Sequence, residues 1–374
     1  MNVTPTDDER HLRRALRLAE RGRGCVEPNP VVGCVIVKRG QVIGEGFHRR
    51  YGGPHAEIEA LRRCRESPRG ATVYVTLEPC CHQGQTPPCT DALISAGVAR
   101  VVAPLRDPNP LVSGGGFAGL RRAGIRVDAG LLAAEAAELN APFFKLVRRR
   151  RPWVILKWAQ SLDGKIATRA GDSKWISDAT SRAHAHRVRG RMDAILVGVG
   201  TVLTDDPLLT CRVGRPRRIA TRVILDTRLR TPPAARLVRT ARRVPTWVFC
   251  GPEAPRRRVR ALERAGCIVR PVRRTRGGLS LPAVLDALGA ARMTNVLVEG
   301  GAKLLGRFFD EALADECHIY VARRLIGGAE APGPLGGRGV ECVADAVVLP
   351  PATRLRHLGD GYFLDARLHS RSAP

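Results

Sequence analysis

Two rhythms of apolar and polar positions alternate along the chain, and their order sets the fold class. Residues 9–22 repeat with helical spacing and predict an amphipathic helix. The runs 33–38 and 41–47, joined at Arg39-Gly40, predict a β-hairpin. A helix over 56–65, a buried strand over 72–77, a helix over 90–96 and a strand over 98–104 follow. A Gly-rich loop at 114–116, a short helix and a strand around 125–127 come next, and the Ala-, Glu- and Leu-rich stretch 131–146 predicts one closing helix. Beyond Pro152, strands are expected at 153–159, 194–199, 222–225, 246–249, 267–272, 295–298 and 316–321, with a helix over 303–309. Strands alternating with helices make both halves α/β.

The pattern is interrupted at Arg148-Arg149-Arg150-Arg151-Pro152, so residues 1–147 and 152–374 are read as two domains joined by a solvated basic linker. A chain of 374 residues is long enough to divide, since single cores stop growing at roughly 250–300 residues. Apolar residues make up 44%, which excludes wholesale disorder. No window approaches the ~20 apolar residues of a membrane span. The opening residues carry no apolar signal core, and eleven scattered cysteines argue against a disulfide framework. Both point to a reducing cytoplasm.

Charge changes the picture less than its size suggests. The formal charge is +27, but the basic residues are 56 Arg and only 6 Lys, and aromatics are 4%. Phosphate-binding faces usually mix Lys with Arg, and base stacking needs aromatics. The excess therefore reads as compositional background spread over both domains, and nucleic acid is disfavoured as a partner.

Chemistry is concentrated in His55-Ala56-Glu57, Glu78-Pro79-Cys80 and Cys89. One imidazole and two thiolates supply three zinc ligands and leave the fourth tetrahedral position to water. Glu57, two residues beyond the ligand, can reach that water without binding the metal, which is the arrangement of a hydrolytic deaminase. If Cys80 and Cys89 begin a helix, its N-terminal dipole keeps their sulfurs ionised. Cys25, Cys34, Cys64, Cys211, Cys250, Cys267, Cys317 and Cys342 lack such context and are expected to be small buried hydrophobes.

Nucleobase deaminases usually close this site with P-C-x-x-C, whereas here eight residues separate Cys80 from Cys89. That longer loop resembles the deaminase half of the bifunctional riboflavin-biosynthesis deaminase/reductase family. Pro28-Asn29-Pro30-Val31-Val32-Gly33, His48, Gly53-Pro54-His55-Ala56-Glu57 and Asp107-Pro108-Asn109-Pro110-Leu111-Val112 match it as well. Cys81 stands where that family usually has Ser, and Gln85 where it commonly has Arg. Cys81 thus competes as a ligand on paper, but Cys80 directly follows Pro79 in the matching motif. The resemblance places Asn29, His48 and His82 near the substrate.

The second half resembles the same family's reductase domain through Lys157-Trp158-Ala159-Gln160-Ser161-Leu162-Asp163-Gly164-Lys165, Ser173-Lys174-Trp175 and Val298-Glu299-Gly300-Gly301-Ala302-Lys303-Leu304. It lacks G-x-G-x-x-G, but Gly300-Gly301 before a helix suits a pyrophosphate. Carried over, Ala159, Trp175, Thr201, Asp205, Thr227 and the stretch Gly301, Ala302, Lys303, Leu304, Leu305, Gly306 and Arg307 would face NADPH. Lys157, Ser173, Arg189, Leu209, Arg212 and Glu299 would face substrate. Arg189 and Arg212 can fork onto a phosphate, although among 56 Arg each alone reads as a surface cation. Lys157 and Asp205 are the polar residues offered to hydride transfer.

The resemblance implies an N-terminal cytidine-deaminase-like domain with a mixed sheet flanked by helices, and a C-terminal dihydrofolate-reductase-like α/β domain. It implies one zinc per chain, NADPH, and a cytoplasmic homo-oligomer without membrane association. The implied reactions act on a phosphorylated pyrimidine. The first is hydrolytic deamination of a diaminopyrimidinone ribosylamine 5′-phosphate, and the second is reduction of its ribosyl group to ribityl. Two rivals remain at this point: an RNA-editing deaminase with an Arg-rich grip, and a deaminase whose second half is a non-catalytic oligomerisation domain.

Overall fold

A computed structural model describes residues 6–351 and 353–368. The chain divides into two compact units, Met1–Arg150 and Arg151–Pro374. Unit 1 opens with α1 (Asp7–Glu20), started by a capping box in which Thr6 and Glu9 each bond the other's backbone N–H. The buried face of α1 lies on β1 (Gly33–Lys38), and a Cβ at Gly33 would run into the Ala15 carbonyl, so only glycine allows this approach. β1 turns back through Arg39-Gly40 into β2 (Gln41–Phe47). Then come α2 (Ala56–Leu61), β3 (Thr72–Val75), α3 (Cys89–Ser95), β4 (Arg100–Ala103), α4 (Gly115–Arg122) and β5 (Arg126–Ala129). The sheet runs β2-β1-β3-β4-β5, with β1 antiparallel to both neighbours and β3, β4 and β5 parallel. Alternation along the strands serves both faces. Cys34, Ile36, Val73, Val75 and Val101 pack with Ala56, Ala60, Leu93 and Phe117, while Val35, Tyr74 and Val102 pack with Leu12 and Ala15.

Three expectations fail locally. The glycine run at 114–116 is no loop throughout, because α4 begins within it. The closing helix is two, α5 (Ala133–Leu139) and α6 (Ala141–Arg149), broken at Asn140. Pro142 in the first turn of α6 lacks the N–H a continuous helix would require there. Asn140 instead turns its amide to Val31, accepting from its N–H at 2.9 Å and donating to its carbonyl at 3.0 Å. The basic run is no free linker either. Arg148 and Arg149 belong to α6, and Arg151 forks onto Asp286 at 2.5 and 3.1 Å.

Unit 2 contains β6 (Trp153–Ser161), α7 (Ala179–Arg189), β7 (Ala194–Gly198), α8 (Val199–Asp205), β8 (Thr221–Leu225), α9 (Arg236–Arg239), β9 (Thr246–Cys250), α10 (Arg256–Arg264) and β10 (Ile268–Pro271). It continues with β11 (Arg274–Thr275), β12 (Gly278–Leu279), α11 (Leu281–Ala290), β13 (Asn295–Glu299), α12 (Ala302–Asp310), β14 (Glu316–Ala322), β15 (Arg354–Leu358) and β16 (Gly361–Arg367). Nine strands form one sheet in the order β10-β9-β8-β7-β13-β6-β14-β16-β15. The first seven are mutually parallel; β16 and β15 close the far side antiparallel. The central strands are covered on both faces. Leu156, Leu196, Phe249 and Val298 pack with Leu285 and Phe308, and Ile195, Val197, Ile224 and Val248 pack with Leu237 and Leu262. Arg222 is fully buried on β8, where Thr240, Thr246 and the carbonyls of Leu237 and Val244 take up its guanidinium. Because β13, β7, β8 and β9 are parallel, their carboxyl ends open along one edge at Gly300, Val199, Asp226 and Gly251.

Replacing Asn140 by Ala leaves two backbone groups of Val31 unpaired in a buried place. Asn140→Ala should cost about 2–4 kcal/mol, read as a lower urea midpoint for unit 1. An unchanged midpoint would show that the amide clamp holds nothing.

Candidate functional site

In unit 1 three metal-ligating groups from distant segments meet. His55 is the residue that caps the start of α2, and Cys89 is the first residue of α3, with Pro88 before it. Cys80 lies in the irregular segment after β3, so only one of the two cysteines begins a helix, contrary to expectation. His55 Nδ1 is 3.3 Å from Cys89 Sγ and 3.5 Å from Cys80 Sγ, and the three ligand atoms lie within 4.8 Å of one another. These separations are those of tetrahedral edges around zinc, and the one-imidazole, two-thiolate set suits it. Cys80 is held below the usual thiol range by hydrogen bonds from Cys89 and by His55, the state a ligand needs. Cys81 turns away, its sulfur 3.9 Å from the carbonyls of Leu111 and Val112.

Glu57 sits in the first turn of α2, almost fully buried and hydrogen-bonded to Cys89. Burial, with the Cys80 sulfur adding, pushes its carboxyl up to about 7. His48 lies beside His55, and Asn29 beside His48. The His48 ring packs edge-on to His55, and its Nδ1 lies 3.0 Å from the Pro54 carbonyl. A carbonyl only accepts, so Nδ1 carries the proton and Nε2 is left to accept from Asn29 Nδ2 at 3.3 Å. That fixes the Asn29 amide with Oδ1 turned the other way. His82 is half-buried, its Nδ1 without a hydrogen-bond partner among the described residues, and Gln85 donates to the Tyr51 hydroxyl at 3.2 Å.

Glu78 has a role the motif did not disclose. Its buried carboxylate accepts the N–H groups of Asp107, Gly114 and Phe117 at 3.1, 2.9 and 3.0 Å, folding the 107–117 segment against the metal loop. The signal was present as an acidic residue directly before Pro79-Cys80. Thr86 was also missed; its hydroxyl lies 3.5 Å from His55 Nε2.

Unit 2 gathers a second cluster at the strand ends. Glu299, the last residue of β13, is in register with Lys157 on β6, and Arg189 closes α7. Arg189 clamps Glu299 with Nε and Nη2 at 2.6 Å each, and Lys157 Nζ is 3.8 Å away. Burial would raise Glu299, but Arg189 and Lys157 outweigh it and hold the carboxyl at about 2. Burial lowers Lys157 against the pull of Glu299. Arg189 is therefore no surface cation, and its fork is committed to a carboxylate. Arg212 stays exposed, while its backbone and that of Thr210 are tied to His186 on α7, beside the buried Leu209. His184 and Tyr320 complete the neighbourhood, with Nδ1 and hydroxyl 2.9 Å apart and the Tyr320 ring 5.4 Å from Lys157 Nζ.

The expected cofactor residues divide. Gly301 precedes α12, whose first N–H groups have no side-chain cap, and Cβ atoms added at Gly301 or Gly200 would meet nothing within 4 Å. An open, glycine-lined helix start fits a dinucleotide pyrophosphate. Thr201 lies in the first turn of α8 and Thr227 follows β8, on the same edge; Ala159 is half-buried on β6. Leu305 does not belong there, being fully buried in the core, and Gly306 packs against the backbone of Gly336. A helix turns successive residues to different sides, so Gly301 to Arg307 cannot all face one ligand. Trp175 and Ser173 are exposed, with Arg182 4.6 Å over the Trp175 ring. Asp205 is exposed at the end of α8, and no bond joins it to Lys157 or Glu299 among the described residues. Of the eight cysteines expected inside, Cys34, Cys250, Cys267 and Cys317 are buried, Cys25, Cys64 and Cys211 are half-buried, and Cys342 is exposed.

Comparison with known proteins covers both units. Residues 5–104 match the zinc-binding region of cytidine and deoxycytidylate deaminases, and residues 152–359 match the RibD C-terminal domain. The chain is 42% identical over 364 residues to the riboflavin biosynthesis protein RibD of Escherichia coli, covering 94% of this chain and 97% of that one. Its likeness to the Actinobacillus pleuropneumoniae protein of the same name is 41% over 356 residues, 95% and 94% of the two chains. Among solved structures, Acinetobacter baumannii RibD superposes with a TM-score of 0.85 at 37% identity, covering 97% of this chain and 99% of that one. A Thermotoga maritima diaminohydroxyphosphoribosylaminopyrimidine deaminase/5-amino-6-(5-phosphoribosylamino)uracil reductase gives 0.81 at 37% identity, with the same coverage. Matches along both units set aside an RNA-editing deaminase.

The geometry brings Cys80, and not Cys81, together with His55 and Cys89. Cys81→Ser should keep about one zinc per chain by elemental analysis, and Cys80→Ser should lose most of it. The reverse pattern would show that Cys81 binds the metal.

Proposed function

The chain belongs to the RibD family of riboflavin biosynthesis, a deaminase and a reductase in one polypeptide, and from that premise we infer which residues carry each step. The N-terminal unit is cytidine-deaminase-like and zinc-binding, and the C-terminal unit is dihydrofolate-reductase-like and uses NADPH. The substrate is a phosphorylated pyrimidine, assigned here as 2,5-diamino-6-ribosylamino-4(3H)-pyrimidinone 5′-phosphate. The product of both steps would be 5-amino-6-ribitylamino-uracil 5′-phosphate.

His55, Cys80 and Cys89 hold the zinc, which when bound supplies a Lewis acid that makes water a nucleophile near neutral pH. Glu57 takes the proton from that water and hands it to the exocyclic amine, which leaves as ammonia. A carboxyl raised to about 7 can hold and release that proton at neutral pH. Asn29, its amide oriented by His48, offers Oδ1 to a ring N–H. The observation that carries this reading is Glu57 buried against three converging ligand groups.

In the reductase unit NADPH supplies the hydride, delivered to C1′ of the ribosyl group. As C1′–O4′ breaks, O4′ must gain a proton, and Lys157 is the group we assign to donate it. Burial lowers its affinity for the proton, which suits a donor. Glu299 holds Lys157 from one side while Arg189 fixes Glu299. Arg212, exposed and without a carboxylate partner among the described residues, is left to meet the 5′-phosphate.

No helix of the described residues is long and apolar enough to cross a membrane. The eleven unpaired cysteines support a reducing cytoplasm. The assembly we assign is a homo-oligomer, as the family resemblance implies.

Glu57→Gln should keep its zinc, lose deamination by at least about 100-fold, and oxidise NADPH normally with the deaminated intermediate. Lys157→Met should do the opposite, slowing NADPH oxidation by about 100-fold or more with ammonia release unchanged. Loss of zinc from the first variant, or normal reduction by the second, would refute the corresponding role.

A further inference from the structure

The last turn of α7 faces two parts of the reductase unit at once. His186 and Arg189 stand three residues apart on it, so their side chains leave the same side of the helix. Arg189 forks onto Glu299. His186 meets the irregular segment between α8 and β8, its Nδ1 3.0 Å from the Thr210 carbonyl oxygen and 3.3 Å from the Arg212 backbone nitrogen. A neutral ring nitrogen either donates or accepts, so Nδ1 serves Thr210 in one tautomer and Arg212 in the other. Burial, with Arg189 and Arg212 adding, holds the imidazole below its ordinary pKa and favours the neutral ring. Either tautomer fastens the same stretch of backbone to α7.

The rest of the segment depends on that fastening. Its far end is held separately, where the N–H groups of Arg217 and Arg218 donate to the Gly190 carbonyl at 3.0 and 3.1 Å. Between the two anchors Arg212, Val213, Gly214 and Arg215 are exposed. The near end enters through Leu209, which is buried at φ +50°, in the left-handed region that a branched side chain avoids. The Leu208 carbonyl before it lies 3.5 Å from Arg222 Nη1, at the limit of a hydrogen bond. A strained residue keeps its conformation only where its surroundings over-determine it. His186 is the side chain that bonds the backbone immediately beyond Leu209.

Arg212 is the cation this segment brings to the cluster of Glu299, Arg189 and Lys157. Arg189 is neutralised by Glu299, whereas Arg212 has no carboxylate partner among the described residues and feels the charges of Arg189 and Arg236. An arginine so placed suits an anion, and it binds one tightly only if its backbone is ordered beforehand, because ordering on binding costs affinity. We propose that His186 is a positioning residue of the reductase reaction: by pinning Thr210 and Arg212 to α7, it sets the Arg212 guanidinium to receive the 5′-phosphate of the substrate. The proposal rests on the reading of unit 2 as the reductase and of Arg212 as its phosphate contact. His186 touches no reacting atom and acts through Arg212.

Steady-state reduction of the deaminated intermediate by the full-length protein tests this, with the same compound lacking its 5′-phosphate as competitor. His186→Leu should raise KM for the intermediate about 10-fold with kcat nearly unchanged, because a phosphate remote from C1′ is held alike in ground and transition states. The inhibition constant of the competitor should not move. Arg212→Ala should act in the same way, and the double variant should be no worse than Arg212→Ala alone, since His186 works through that residue. His186→Asn, whose amide offers a donor to Thr210 and an acceptor to Arg212, should bring KM back to within about 2-fold of the unaltered protein. An unchanged KM in His186→Leu beside a raised one in Arg212→Ala, additive effects in the double variant, or equal weakening of intermediate and competitor overturns the positioning role alone. An unchanged KM in Arg212→Ala overturns the phosphate contact on which it rests, and no NADPH oxidation by the unaltered protein overturns the reductase reading.

Discussion

A buried carboxylate must be met by fixed donors, because an uncompensated one costs several kcal/mol, and the candidate site of each unit holds one so met. Glu299 is stabilised only because the end of α7 delivers Arg189 and β6 delivers Lys157 to the same point. Glu78 is stabilised only because the 107–117 segment points three N–H groups inward. In each case the donors come from segments far apart in the chain, so the geometry of the site is inherited from the fold. Glu57 is the contrast: burial leaves its carboxyl raised rather than paired with a cation, which suits a group that must pick up and release a proton.

The two units reach their sites by different routes. In unit 1 the ligands sit where strands and helices meet, and the metal loop is braced from outside by Glu78 and the 107–117 segment. In unit 2 parallel strands end along one edge, where the uncapped start of α12 and the charged cluster of Glu299, Arg189 and Lys157 both lie. Glycine marks the places where backbone must be approached closely, as at Gly33 under α1 and at Gly277-Gly278 under Arg307.

The grouping of His55, Cys80 and Cys89 with Glu57 was legible from their motif, and most strands from local spacing. His55 and Glu57 stand two residues apart, and the buried strands are short apolar runs. Other features depend on partners distant in sequence and were not legible. Leu131 to Leu146 has helical composition throughout, yet the Asn140 amide is needed by Val31 and the helix breaks there. β15 and β16 escaped notice because β15 reads Arg-Leu-Arg-His-Leu and is mostly exposed, offering no buried run. Arg189 looked like one surface cation among many until α7 placed it on Glu299.

The central claim is that one chain holds two chemically independent sites, one needing metal and the other a dinucleotide. Zinc removal by a chelator, followed by separate assays on the same sample, tests it most directly. The metal-free protein should release no ammonia from the diamino substrate, yet should oxidise NADPH at an undiminished rate when given the deaminated intermediate, with readdition of zinc restoring ammonia release. Ammonia release that survives metal removal, or NADPH oxidation lost with the zinc from a protein that stays folded, would contradict the account.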